Sequence, residues 1–321
     1  MLRRADVALR HQVTLADLAD RWVGLHGDRL MVTEEGPAPV ASGSRRDGGR
    51  AIGRAGDAGE VRELTYPAAA AQVARWSAAI AARTERIRVF PDVASLPLRP
   101  PAVLAKAAAS LDVISGGRFE LGLGAGAFWE AIAAMGGPNR SGAEAAEALT
   151  EAVEIVRLMW SAQRSVRFTG THYQIAGVHP GPQPAHDMGI WLGVGGPRML
   201  ALVGRAADGW LPSNGFFPPD KLPDMHRRID DAAADAGRDP SDISRIYNVW
   251  GTITDGPSNG EFDGPVDQWI DTLTGLVLDG GMNAFVFGAE GDDPAQMSAF
   301  MDRVVPAVRE QVAAGRSGRT P

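Results

Sequence analysis

The chain contains no cysteine among its 321 residues, which excludes disulfide bonds, thiolate nucleophiles and cysteine-bound metals together. It also lacks an excess of positive charge. The formal net charge is −7, which argues against nucleic acid or an anionic membrane surface as its main partner. No apolar run approaches the roughly 18 residues a membrane helix needs, and the amino terminus has no signal-peptide core. These absences predict a cytoplasmic protein that binds neither nucleic acid nor membrane. No Gly-x-Ser-x-Gly elbow, P-loop or His-Glu-x-x-His is present, and the histidines are scattered without ligand spacing, so no metal site is expected.

What is present is enough for a large core: 45% of the residues are hydrophobic. The organising stretch is Pro100 to Gly126. Pro101 can seat the first turn of a helix, and Gly116 and Gly117 can end it in a left-handed cap. Between them Val103, Leu104, Ala107, Ala108, Leu111 and Ile114 recur at helical spacing, with Lys106, Ser110 and Asp112 largely between. Phe119, Leu121 and Leu123 then alternate with Glu120 and Gly122, which reads as a strand ending in Gly124-Ala125-Gly126.

From Thr84 onward the rhythm is regular. Strands are expected at 86–90, 118–123, 190–194, 208–211, 243–254 and 283–288, each followed by a helix, with a hairpin excursion over 166–182. Strict β–α alternation implies a parallel sheet, open or closed into a (β/α)8 TIM-type barrel. Eight units would be needed to close it, and the two that are missing are the first two. Residues 1 to about 80 read differently, with an amphipathic helix over Val13–Leu25 and a Gly/Ala/Ser/Arg-rich loop over 36–59.

Ser110-Leu111-Asp112, Ser115, Gly117-Arg118 and Phe119 to Gly126, together with the block Ile190 to Trp210, resemble the luciferase-like family of flavin- or deazaflavin-dependent oxidoreductases. The resemblance covers about 78–313. It implies a TIM-type barrel, here incomplete, that holds FMN or coenzyme F420 at the carboxyl ends of its strands and transfers a hydride to or from a small organic substrate, or acts as a monooxygenase. It implies a non-prolyl cis peptide at Asp92-Val93 against the cofactor ring, and backbone approach at Gly124 and Gly126. It implies further that Gly195, Gly196, Pro197 and Arg198 lie near the phosphate end, and that Ser213 and Asn214 form hydrogen bonds to the cofactor. The sugar-phosphate branch of the family has a glutamate directly after the glycine turn; here Ala127 stands there, followed by Phe128 and Trp129.

Residues 1 to about 78 resemble instead the amino terminus of an acyl-CoA synthetase, on Leu15 to Trp22, Gly27 to Gly36 and Glu63 to Tyr66. The domains read as 1–78, 79–313 and a tail over 314–321. Roughly 80 residues are too few for an adenylating domain. The alternative to an enzyme is a non-catalytic or impaired fusion with a partial barrel, whose unpaired edges would favour a homo-oligomer.

Bland readings stand beside these. Gly122-x-Gly124-x-x-Ala127 also fits a loose dinucleotide fingerprint, although no strand and acidic residue follow at the required spacing. Tight packing alone would account for Gly124 and Gly126. Glu130 is the candidate general acid, as the carboxylate just past the glycine turn. His172, His179 and His186, in or after the hairpin, are candidates to face substrate at the barrel mouth. Glu144, Glu147, Glu151 and Glu154 read as the solvated face of a helix.

Overall fold

The computed structural model describes residues 83–289 and 293–318. The synthetase-like segment, with its expected helix over Val13–Leu25 and its loop 36–59, lies outside the described residues.

The expected alternation is present. In chain order the elements are β1 (Ala94–Ser95), α1 (Pro101–Ser115), β2 (Leu121–Gly124), α2 (Trp129–Ala134), α3 (Gly142–Trp160), β3 (Val166–Thr169), β4 (Gln174–Val178), β5 (Ile190–Gly193) and α4 (Pro197–Ala206). They continue with β6 (Gly209–Trp210), α5 (Leu222–Asp235), β7 (Ser244–Ile253), β8 (Asp263–Gly264), α6 (Val266–Leu278), β9 (Ala284–Ala289), α7 (Pro294–Ala299) and α8 (Val305–Ser317). Strands β1, β2, β5, β6, β7 and β9 are parallel neighbours in that order. No closed barrel forms among the described residues, and none of their strands pairs with the outer edge of β1 or of β9. The excursion is the antiparallel hairpin β3–β4. No described helix is long and apolar enough to cross a membrane. The last helix runs to Ser317, into the residues read as a tail.

Alternation along the strands builds two apolar layers. Leu121, Leu123, Ile190, Leu192 and Trp210 face the helices in the large core. Phe90, Trp191, Leu211, Ile246 and Val286 form a second cluster on the opposite face of the sheet. Phe90 meets Trp191 edge-on, with ring centroids 4.7 Å apart.

Two expectations are corrected. The strand over 86–90 reduces to a single bridge between Val89 and Phe119, and pairing resumes only at Ala94 with Leu123. Five steps on the first strand thus face four on β2, a bulge that contains Pro91, which has no N–H to donate, and Asp92-Val93. On α1 the caps are as expected, with Pro101 in the first turn and Gly116 at φ 67°. The buried stripe differs: Asp112 (0% exposed) and Ser115 are inside, while Val103 (61%) and Ile114 (55%) face outward. Asp112 is buried because its carboxylate accepts the backbone N–H of Phe119, Ala185 and His186, which replaces the water it loses.

Candidate active site

The carboxyl ends of β2 and β5 close on the Asp92-Val93 turn. A Cβ on Gly124 would lie 2.6 Å from Val93 Cγ2, and one on Gly193 would lie 2.9 Å from Val93 Cγ1. The Val93 side chain therefore occupies the space that two glycines leave at adjacent strand ends. The Asp92-Val93 peptide bond is cis. Beyond it, Asn248 on β7 donates from Nδ2 to Asp92 Oδ1 at 3.1 Å and to Ser213 Oγ at 3.1 Å. Asn248 is 5% exposed, and its Oδ1 is buried without a hydrogen-bond partner.

This cluster sets the electrostatics of the strand ends. Burial pushes the Asp92 carboxyl up to about 6, and the Asn248 amide, which favours the ionised form, opposes only part of that shift. No cation pairs with Asp92 among the described residues. The group can therefore gain or lose a proton near neutral pH, which suits acid–base work.

The other expected residues fall into three groups. Gly195 lies against Phe217, whose ring would be 1.8 Å from an added Cβ, whereas Gly196 has open space there. Gly196 caps the start of α4 without a side-chain bond, and Pro197 follows. The first-turn N–H groups are thus bare of side-chain caps, a setting that favours an anion. Arg198 is exposed and reaches Glu147 at 3.4 Å.

Asn214 is engaged on backbone. Its Nδ2 donates to the Trp250 carbonyl and its Oδ1 accepts the Trp250 N–H, which extends the β6–β7 pairing past Ser213. Gly126, at φ 111°, is covered by Pro97 and by the Trp129 ring. Packing accounts for the glycine there, and Trp129 packs on it. Glu130 is exposed in the first turn of α2 and is not brought to the Asp92 cluster. Phe128, at the N-cap of α2, has a left-handed backbone at φ 56° and is 43% exposed.

Asn248 was not singled out from the sequence. The available signal was an asparagine inside the apolar strand Ser244–Ile253, in phase with the inward-facing Ile246.

The histidines do not gather at this end. His186 lies at the amino ends of the strands, where Nδ1 meets Asp112 Oδ1 at 2.9 Å and Nε2 meets Glu120 Oε1 at 3.4 Å. Glu120 also accepts from Arg88 at 2.5 Å and from the Gly189 N–H. Burial pulls the His186 pKa down, but the bonds and charges of Asp112 and Glu120 outweigh it and hold the imidazole above its ordinary value. His172 sits beside Glu147 at 3.5 Å, and His179 bonds the Arg164 carbonyl. Two of the glutamates read as a solvated face are fastened instead. Glu144 closes a capping box with Ser141, and Glu151 accepts the N–H groups of Thr171, His172 and Tyr173 at the hairpin turn. The Asp-Gly-Trp block is also structural at its ends: Asp208 accepts the Ile190 N–H and an Arg157 bond, and buried Trp210 donates to the Val194 carbonyl.

Comparison with known proteins agrees with this architecture. The chain is 33% identical over 176 residues to an F420-dependent glucose-6-phosphate dehydrogenase of Nocardia farcinica, covering 54% of this chain and 52% of that protein. It is 32% identical over 166 residues to pyrimidine monooxygenase RutA of a Bradyrhizobium species, covering 50% and 45%. The chain thus spans about half the length of the curated relatives it matches. Among solved structures, an F420-dependent secondary alcohol dehydrogenase in complex with an F420-acetone adduct superposes with a TM-score of 0.65 at 18% identity, over 74% of this chain and 84% of that one. The fold is therefore that of the TIM-barrel enzymes of this group. The family described as luciferase-like monooxygenase matches residues 58–258, beginning inside the segment read as synthetase-like. The chain belongs to the luciferase-like monooxygenase family.

Proposed function

We propose that the chain is a cofactor-dependent oxidoreductase that moves a hydride between a bound deazaflavin or flavin and a small organic substrate at the carboxyl ends of its strands. The observation that carries this reading is the half-buried Asp92–Asn248–Ser213 cluster, with the buried Asn248 Oδ1 unpartnered at its centre. A buried orphan acceptor at strand ends is a place for a ligand donor. The F420-dependent relatives support the deazaflavin over FMN, and the likeness to a riboflavin lyase solved with modified FMN keeps FMN as the alternative.

The residues fit such a group. Val93 would back the ring, Asn248 Oδ1 would accept a hydrogen bond, and the start of α4 at Gly196-Pro197 would receive a phosphate, with Arg198 near. Gly196, with open space beside it, would let backbone approach it, whereas Gly124 and Gly195 make room for Val93 and Phe217 and Asn214 would act by holding Trp250 in place. When bound, the ring supplies the hydride chemistry. The chain binds and orients it and excludes water. Ala127, exposed past the glycine turn, offers no proton, so the proposed substrate is not a sugar phosphate.

A second reading, an impaired or non-catalytic fusion, is favoured by one observation: no described strand covers the outer edges of β1 and β9. Fluorescence titration of the purified chain with coenzyme F420, and separately with FMN, decides between them. Saturable binding of one below tens of micromolar is expected. No binding of either would leave the fusion reading.

A further inference from the structure

Three of the six large apolar side chains that are exposed among the described residues, Val103, Val113 and Ile114, lie on the single helix α1. Val103 (61% exposed) and Ile114 (55%) fall in one line with exposed Ala107 and half-buried Leu111, at the spacing i, i+4, i+8, i+11 of a helix flank. The opposite flank is engaged. There Lys106 Nζ donates to the Gly181 carbonyl at 2.8 Å, and Trp160 at the end of α3 donates to the Ala105 carbonyl at 3.0 Å. Since α3 follows β2, the bare flank of α1 lies toward the outer edge of β1.

We propose that this stripe is the docking surface for residues 68–82 of the same chain, which lie outside the described residues, and that they pack along α1 as a further helix of the barrel ring. The entry of the chain favours this occupant. Arg118 Nη1 donates to Thr84 Oγ1 and to the Ile87 carbonyl, each at 2.8 Å, and its Nε donates to the Ser115 carbonyl at 2.7 Å. The chain upstream of Thr84 therefore starts beside the carboxyl end of α1. Right-handed β–α connections set the helix that enters a strand beside the helix that leaves it, which is the flank that stands bare. The lengths agree: 68–82 and α1 have 15 residues each, about 22 Å at the rise of a helix. Val73, Trp76 and Ile80 recur at i, i+3, i+7 with Arg75 away from them, and alanine at most other positions suits close packing on Ala107. The family match, which begins at residue 58, takes in the whole segment. Tethering also favours 68–82 over a second copy of the chain, because its effective concentration at α1 is high. The barrel-type part of the chain then starts near Pro67 and not at 79.

The test exploits the absence of cysteine. Ser110→Cys, at the rim of the stripe, is labelled with a benzophenone in the full chain and illuminated, and the adducts are mapped by mass spectrometry. Adducts within one chain at 68–82 are expected. Adducts joining two chains would assign the face to a second copy, and adducts confined to the described neighbours of α1 would leave it to solvent; either overturns the proposal. Hydrogen exchange gives a reading without the label. Residues 68–82 should be protected in the wild-type chain, and Ile114→Lys should quicken their exchange by about tenfold or more while β5 and β7 do not change. Wild-type exchange over 68–82 at the rate of an unstructured chain, or no response there to Ile114→Lys, overturns the proposal as well.

Discussion

Asn248 Nδ2 donates to Asp92 Oδ1 at 3.1 Å although three strands lie between theirs in the sheet. Four strand spacings in a flat sheet would separate them by about 19 Å. The bond therefore requires that the five parallel strands from β1 to β7 be rolled into an arc, with Asp92 and Asn248 meeting across its hollow. Phe90, Trp191, Leu211, Ile246 and Val286 fill the same hollow. Barrel curvature is thus present in the described strands without closure.

Desolvating the Asp92 carboxylate with no cation beside it costs stability. The carboxyl ionises near 3.8 when unfolded and near 6 when folded, so folding takes up a proton between those values. Its contribution is fully present below about pH 4 and is lost as pH rises through 6. Asp92→Asn is expected to raise stability by on the order of 1–3 kcal/mol at pH 7 and by nothing at pH 3.5. Urea unfolding at both pH values measures this; equal effects at the two would show that Asp92 is not buried as a carboxylate.

Val93 holds the ends of β2 and β5 apart from any side chain. Gly124→Ala places a methyl 2.6 Å from Val93 Cγ2 and is expected to cost about 1–3 kcal/mol. Adding Val93→Ala should recover part of that loss. A double-mutant cycle on thermal unfolding reads the coupling, and strictly additive effects would contradict the packing described.

At the other end of the strands, His186 bridges Asp112 and Glu120, both buried. Its folded pKa is raised above 6.5, so the stability it contributes is fully present below that value and fades as pH rises through the folded one. Wild type should lose stability over this window relative to His186→Gln. Identical pH profiles of the two proteins would rule out the charged bridge.

Glu151 ties the hairpin turn to α3 through three backbone N–H groups, of Thr171 at 2.6 Å and of His172 and Tyr173 at 3.0 Å. Glu151→Gln loses one acceptor oxygen and turns an amide donor toward these donors. The turn should open more easily, by about 1–3 kcal/mol. Hydrogen exchange at 171–173 should quicken, while exchange in β5 should not change; a uniform change would assign Glu151 to global stability.

The sequence by itself determined the alternation of the main strands and helices from Pro101 onward, the caps of α1 and the hairpin. These are local: proline, glycine and apolar periodicity act over a few residues. Only the tertiary structure decided which polar groups matter. Asp112 entered the core, against its place among polar positions, because backbone from a loop 73 residues away supplied its hydrogen bonds. His186 went to the amino ends of the strands, and Asn214 closed on Trp250. Asn248 found Asp92 across 156 residues of chain, since which side chains meet inside a rolled sheet depends on its curvature, and curvature is set by all the strands together.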